Sequence, residues 1–82
     1  MNLYLITRPE QWDYDQYDSA VVCALSEADA RMIHPGGRDD WNGIRERYDS
    51  WVNADSVIVT LIGVADPACG QGSIICASFN AG

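Results

Sequence analysis

The sequence predicts a small α+β fold, in which a four-stranded and mostly antiparallel sheet carries one helix on one face. Three observations predict this fold. Four apolar runs have the length and composition of strands, one alanine-rich run follows a helix-capping serine, and 82 residues leave room for one modest core. We therefore expect residues 1–82 to form a single domain with the element order β-β-α-β-β.

The four predicted strands are separated by residues that break strands. They are Leu3–Thr7, Ala20–Leu25, Ser56–Ile62 and Ser73–Phe79. Pro9 ends the first strand, because proline cannot donate to a strand ladder. The second strand is almost continuously apolar, which favours a central place in the sheet. A connection rich in Gly, Pro and Asp joins the last two strands, and we expect these to form a hairpin with a long loop.

One helix is predicted between the second and the third strand. Ser26 is a good N-cap, and the carboxylate of Asp29 lies where it favours the helix dipole. The helix is expected over Glu27–Ile33, because a Pro-Gly-Gly sequence follows shortly afterwards. His34 is expected to end the helix and to bond a carbonyl of its last turn.

Residues 38–55 show no regular period and hold Trp41, Tyr48 and Trp51 among charged residues. A short helical turn is predicted near Ile44–Tyr48. Trp51 stands just before a strong strand and is expected in the core. The chain has three Trp and four Tyr, which is more than one short helix can cover. The segment therefore either folds back over the sheet or forms an interface.

The charge of the chain is strongly acidic. Twelve Asp and Glu face five basic residues, all of them Arg, and the net charge is −7. Such a chain repels nucleic acid and anionic membranes and favours basic partners. No apolar run approaches the roughly 18 residues that span a bilayer. We expect no direct contact with nucleic acid or membrane; the alternative is that the charge serves solubility alone.

The three cysteines form no Cys-x-x-Cys motif and cannot all pair with one another. Cys23 and Cys76 lie in apolar, strand-like runs, where cysteine behaves as a small hydrophobe. We expect both to be buried and reduced. A cytoplasmic location is the corresponding expectation.

The most unusual stretch is 12–18, where three carboxylates alternate with three aromatic rings. Rings provide contact area, and carboxylates pair with Arg and Lys. Residues 39–41 repeat the combination of acid and indole. The alternatives are a solvated loop whose rings pack on the sheet edge, and a Trp41 that caps the core. The predicted partner-binding residues are Trp12, Asp13, Tyr14, Asp15, Tyr17, Asp18, Asp39, Asp40 and Trp41.

The groups available for catalysis are few. His34 is the one histidine, and there is no lysine. Gly70–Ser73 precedes a strand instead of a helix and lacks the lysine of a phosphate-binding loop. Asp13, Asp15 and Asp18 carry oxygen ligands for calcium, but the stretch lacks the glycine and the bidentate glutamate of an EF-hand. We expect neither an enzyme nor a cofactor or metal site.

Six segments carry a resemblance to a known kind of protein: Tyr4–Thr7, Tyr14–Val22, Ser26–Arg31, Ile33–Pro35, Ile62–Ala65 and Ala77–Gly82. They resemble a family of small phage and prophage proteins over most of the chain, excepting about 38–50. In size and acidity this family is similar to anti-CRISPR proteins, which block bacterial immune complexes by occupying their surfaces.

The resemblance implies a phage-encoded inhibitor in the cytoplasm of an infected bacterium. Its partner would be a host protein or a protein–RNA complex with a basic surface. The inference rests on analogy, because a fold does not by itself define a function. The alternative is a structural or regulatory phage protein that acts as a homodimer through its sheet face or edge.

Overall fold

The protein is a four-stranded antiparallel sheet with one short α-helix, described here from a computed structural model that covers residues 1–9, 15–47 and 49–80. The predicted fold class is confirmed. The elements in chain order are β1 (Asn2–Thr7), β2 (Gln16–Ala24), α1 (Glu27–Arg31), a 3₁₀ turn (Ala54–Ser56), β3 (Ile58–Val64) and β4 (Ile74–Asn80).

The order of strands across the sheet is β3-β1-β2-β4. Strands β1 and β2 pair in the centre, as expected for β2, with Leu5 opposite Val21. The predicted hairpin of the last two strands is wrong, because β3 and β4 lie at opposite edges. Residues 65–73 connect them across one end of the sheet. Ala65 N–H donates to Met1 O (3.0 Å) at the start of this connection, and Gly72 N–H donates to Cys23 O (2.9 Å) near its end.

A disulfide between Cys23 and Cys69 ties this connection to the end of β2. Cys23 is buried as predicted, but the prediction that it is reduced is wrong. The prediction that Cys76 is buried is also wrong, because β4 is an edge strand and its thiol is free and exposed. The two bonded cysteines are 46 residues apart, and only the path of the connection across the sheet end brings them together.

The disulfide gives the cytoplasmic expectation no support, since structural disulfides are rare in reducing compartments. In the part of the chain that the structure describes, no helix is long and apolar enough to cross a membrane. The cytoplasmic location therefore stays a prediction.

One face of the sheet carries the core. Tyr4 lies opposite Val22 in the central hairpin, and Ile6 lies opposite Ala20, so that these side chains share a face. Trp41 and Trp51 of segment 38–55 pack on this face, so the segment folds back over the sheet as the first alternative for it predicted. Trp51 is 0% exposed, and its predicted place in the core is confirmed. The core consists of Tyr4, Ile6, Ala20, Val22, Ala24, Ala30, Ile33, Trp41, Trp51 and Val57.

The helix begins as predicted and ends early. Ser26 Oγ accepts a hydrogen bond from Asp29 N–H (3.2 Å), which is the expected N-cap. The helix ends at Arg31 and not at Ile33, because the backbone tightens there: Ile33 N–H bonds the carbonyl three residues back. Of the helical turn predicted near 44–48, the structure has one hydrogen-bonded turn, in which Asp49 N–H donates to Glu46 O, and no helix over the described residues 44–47.

Removal of the disulfide should destabilise the fold. The bridge closes a loop with a sequence separation of 46, so Cys69→Ser should lower the free energy of unfolding by about 3–4 kcal/mol. Denaturant unfolding of the oxidised protein measures this loss. Cys76→Ser is the control and should leave stability within about 0.5 kcal/mol, since its thiol is exposed. Equal stability of Cys69→Ser and the parent protein would contradict a bond in solution.

Candidate functional site

Two polar side chains, those of His34 and Asp49, are buried in the described part of the chain. His34 Nε2 lies 2.9 Å from Asp49 Oδ1, and the two side chains are 1% and 2% exposed. Arg38 Nη1 donates to Asp49 Oδ2 (2.9 Å), and Trp51 N–H donates to Asp49 Oδ1 (3.3 Å). Both oxygens of the buried carboxylate therefore have partners, as burial of a charge requires.

The local chain path explains why Asp49 points inward. A turn precedes it, in which Asp49 N–H donates to Glu46 O (3.1 Å), and Arg45 Nη2 donates to Asp49 O (3.2 Å). Trp51 follows two residues later and is fully buried, which draws this part of the chain towards the sheet. No local sequence signal marks Asp49 as a partner of His34, because the two lie 15 residues apart in an irregular segment.

Both ring nitrogens of His34 are engaged within the protein. Nδ1 accepts a hydrogen bond from Gly36 N–H (2.9 Å), so the ring proton lies on Nε2 and is donated to Asp49. The predicted bond to a last-turn carbonyl is replaced by this bond to a carboxylate. A general base needs a nitrogen within reach of a substrate, and neither nitrogen of this ring is available. The pair therefore holds the structure together.

Two aromatic residues from separate predicted stretches pack against His34. The ring centroid of Tyr17 lies 6.1 Å from that of His34, and the centroid of Trp41 lies 5.1 Å from it, both in edge-on orientation. The Arg38 guanidinium lies 5.6 Å from the Trp41 centroid. Tyr17 N–H donates to Ser50 O (2.9 Å), which joins β2 to the end of the irregular segment. The structure thus brings Tyr17 and Trp41 together around one buried ring.

The pKa of Asp49 reflects this environment. Burial by itself raises the pKa of the carboxyl. The hydrogen bond from His34, the Trp51 N–H and the charge of Arg38 favour the ionised form and together outweigh burial. The pKa of Asp49 is therefore lower than its usual value.

The first predicted binding stretch is described only in part. Trp12, Asp13 and Tyr14 lie outside the described residues. Asp15 is exposed and has a φ of 62°, a left-handed conformation that Asp tolerates better than most residues. Strand β2 begins at Gln16, so the predicted loop is shorter than expected.

Tyr17 and Asp18 lie in β2 and are half-buried. The ring of Tyr17 also packs edge-on against Phe79, with a centroid distance of 4.8 Å. Asp18 accepts a hydrogen bond from the hydroxyl of Ser19 (3.2 Å). Among the described residues of this stretch, Asp15 presents an exposed carboxylate.

The second predicted stretch divides between surface and core. Asp39 and Asp40 are exposed, and Asp40 pairs with Arg38 (3.4 Å). Trp41 is 9% exposed and belongs to the core cluster. The structure thus supports the interpretation in which Trp41 caps the core. At residues 39–41, the carboxylates alone are presented to a partner.

The arginines bind the chain itself. Arg31 Nη1, for example, donates to two backbone carbonyls, those of Ala54 (3.1 Å) and Val57 (2.5 Å). By contrast, the side chains of Asp15 and Asp39 make no hydrogen bond or ion pair with other described residues. The surface around these carboxylates therefore retains its negative charge. The other acceptors are Tyr17 O for Arg8, Asp49 Oδ2 for Arg38 and Asp49 O for Arg45.

A cavity of about 180 Å³ lies beside His34. This volume is below the roughly 300–1,000 Å³ that is typical of ligand pockets. Among the described residues, no group of three or more His, Cys, Asp and Glu could hold a metal ion. The cavity therefore offers space for a few water molecules and no cluster of reactive groups. Its lining consists of Met32, Ile33, His34, Gly37, Arg38, Asp39, Gly72 and Ile74.

Comparisons with known proteins find no relative of this chain. No family model matches the chain, and neither a curated protein nor a solved structure is significantly similar to it. The resemblance to phage proteins therefore stays a prediction, and the function is argued from the residues themselves.

The buried Asp49 should make the fold sensitive to acid. Because its folded pKa is lowered, its contribution to stability is complete above the unfolded value of about 3.9 and is lost as the pH falls through the folded pKa. Asp49→Asn should cost about 2–4 kcal/mol near neutral pH and should flatten the fall in stability below about pH 5. Urea unfolding between about pH 2 and pH 7 measures both effects.

The matched control for this experiment is Asp39→Asn, which removes an exposed carboxylate. It should change the free energy of unfolding by less than about 0.5 kcal/mol and leave its pH dependence unaltered. Parallel stability profiles for the parent protein and Asp49→Asn would show that Asp49 is not the acid-sensitive group.

Proposed function

We propose that the chain is a binding protein whose acidic surface occupies a basic surface of another protein. The observation that carries this proposal is that the positive side chains have partners within the chain and two exposed negative side chains do not. Four arginines donate to acceptors within the chain, whereas the exposed carboxylates of Asp15 and Asp39 have no partner among the described residues. With a net charge of −7, this surface attracts cationic partners and repels phosphate.

These carboxylates are attached to ordered parts of the fold, which favours tight binding. Asp15 lies directly before β2, and Asp39 and Asp40 lie directly before the core residue Trp41. Tyr17 and Trp41 contact the same buried imidazole, so both acidic stretches start from one packed cluster. A surface held in place before binding loses less conformational entropy when the complex forms.

The proposed partner is the nucleic-acid-binding surface of a bacterial immune complex, in which the chain acts as an inhibitor and not as an enzyme. Arginine and lysine groups arranged for phosphate also bind carboxylates. The resemblance to phage proteins of anti-CRISPR type suggests this class of partner and the cytoplasm of the infected host. In that reducing compartment Cys23 and Cys69 would be thiols, so the proposal requires that Cys69→Ser still binds.

The test compares two variants with equal net charge. Asp15→Asn/Asp39→Asn/Asp40→Asn should weaken binding to a CRISPR effector–RNA complex at least about 100-fold, because truncating one member of a desolvated charge pair costs about 2–5 kcal/mol. Glu27→Gln/Asp55→Asn/Asp66→Asn is the matched control and should lose no more than about threefold. Calorimetric titration at about 0.15 M and about 0.5 M salt measures both, and the parent protein should bind more weakly at high salt.

The named acidic surface would be refuted by equal losses in the two triple variants, since net charge alone would then explain binding. Full affinity in both variants would refute any charge-driven complex. Competition with the nucleic-acid substrate of the effector is the accompanying readout, and an inhibitor of the proposed kind displaces it.

A further inference from the structure

The charges of this protein are excluded from its sheet. Strands β1, β3 and β4 contain no charged residue, and Asp18 is the one charged residue of β2. In the chain as a whole, 21% of residues are charged. A sheet that faces water on one side normally alternates apolar with polar and charged residues. The absence of charge from this sheet therefore needs an explanation.

The face opposite the core is formed by side chains in cross-strand rows. Leu5 of β1 is flanked by Thr60 and Val21, and Cys76 lies beyond Val21. Since alternate residues share a face, the neighbouring positions along each strand belong to the same surface. Cys23 belongs to the same side, but it is 0% exposed and bonded to Cys69 of the connection 65–73, which covers this end of the surface. We call the rest of the surface the open face, which consists of Leu3, Leu5, Thr7, Ser19, Val21, Ile58, Thr60, Cys76 and Ser78.

The open face is accessible at both sheet edges and apolar along its middle row. Ile58 is 48% exposed, and Thr60, Cys76 and Ser78 are exposed. Leu5 and Val21, in the central strands, are half-buried by their neighbours in the sheet. The helix α1 and the tryptophans of segment 38–55 pack on the other side. The connection 65–73 covers the end at Cys23, and within the described residues no helix or strand covers the open face.

The two sheet edges are poor sites for a further strand. Each edge strand carries an extra residue that interrupts its register, Ile62 in β3 and Ile75 in β4. Such bulges twist an edge and block regular pairing with another strand. The interaction surface is therefore the face and not the edge.

We infer that the open face packs against the open face of a second copy of this chain. A basic partner would find no carboxylate on the nine residues of this surface. Two copies that each carry a charge of −7 repel one another, and the contact least opposed by this repulsion is the uncharged face. A two-fold axis places the same patch on both copies, so that rows of apolar and hydroxyl side chains meet their equivalents.

The area of the open face determines how strongly two copies are expected to associate. Nine residues on strands about 4.8 Å apart, with alternate residues about 6.7 Å apart along each strand, give roughly 300 Å² of flat area. Pleating and side chains enlarge it, so that two faces bury about 800 Å² together, which is in the range of weak and transient complexes. We therefore expect a reversible dimer with a dissociation constant of about 10 µM and not an obligate one.

Cys76 provides a test that needs no disruptive variant. It is the one free thiol, because Cys23 and Cys69 are bonded to each other. Its rate of reaction with a thiol reagent should fall at least about fivefold as the protein concentration rises from about 1 to about 300 µM. Sedimentation over the same range should show a shift from monomer to dimer. A constant labelling rate, or a monomer at about 300 µM, would overturn the inference.

Paired variants locate the contact. Thr60→Asp/Ser78→Asp puts carboxylates at two exposed positions of the open face, where each copy brings the same charges, and should raise the dissociation constant at least about 100-fold. Asn42→Asp/Ser56→Asp adds the same charge at exposed positions outside the sheet and should change it less than about threefold. Thermal unfolding verifies that both variants fold. A dimer that persists in the first variant, or that both variants weaken equally, would overturn the inference.

Discussion

The carboxylate of Asp49 lies inside the protein, where His34, Arg38 and the backbone of Trp51 hold it. The chain between α1 and the 3₁₀ turn has no helix or strand in its described part, so its backbone groups lack a regular ladder. Hydrogen bonds to Asp49 join the side chains of His34 and Arg38 and the backbone of Trp51 to one point of the segment. They fix the path that carries Trp51 onto the sheet, and the core on this side of the sheet depends on that path.

The same arrangement determines the surface charge. All five residues that are positively charged at neutral pH are arginines. Their guanidinium groups donate hydrogen bonds to backbone carbonyls of irregular segments, as Arg31 does to Ala54 O and Val57 O. Because these groups are occupied within the fold, the exposed carboxylates of Asp15 and Asp39 have no partner among the described residues. The arginines that bond the backbone of irregular segments are thus not available to neutralise the acidic surface on which the proposed binding function rests.

The sheet separates two surfaces of different character. On one side, loops and α1 bury the core; on the other, strands present hydroxyl and apolar side chains without charge. The Cys23–Cys69 bond lies at one end of the sheet and fixes the connection between the two edge strands. The acidic surface of the proposed binding function and the neutral face of the proposed dimer therefore consist of different residues.

Local sequence determined the elements of this protein. Strand composition and the Ser26 cap are properties of neighbouring residues, and both predicted the structure to within a few positions. Net charge likewise requires only a count. The order β3-β1-β2-β4, the Cys23–Cys69 bond and the His34–Asp49 pair join residues far apart in the chain, and no local pattern encodes them. The tertiary structure alone decided which aromatic side chains are buried in the core and which carboxylates are exposed, because burial depends on how the elements pack.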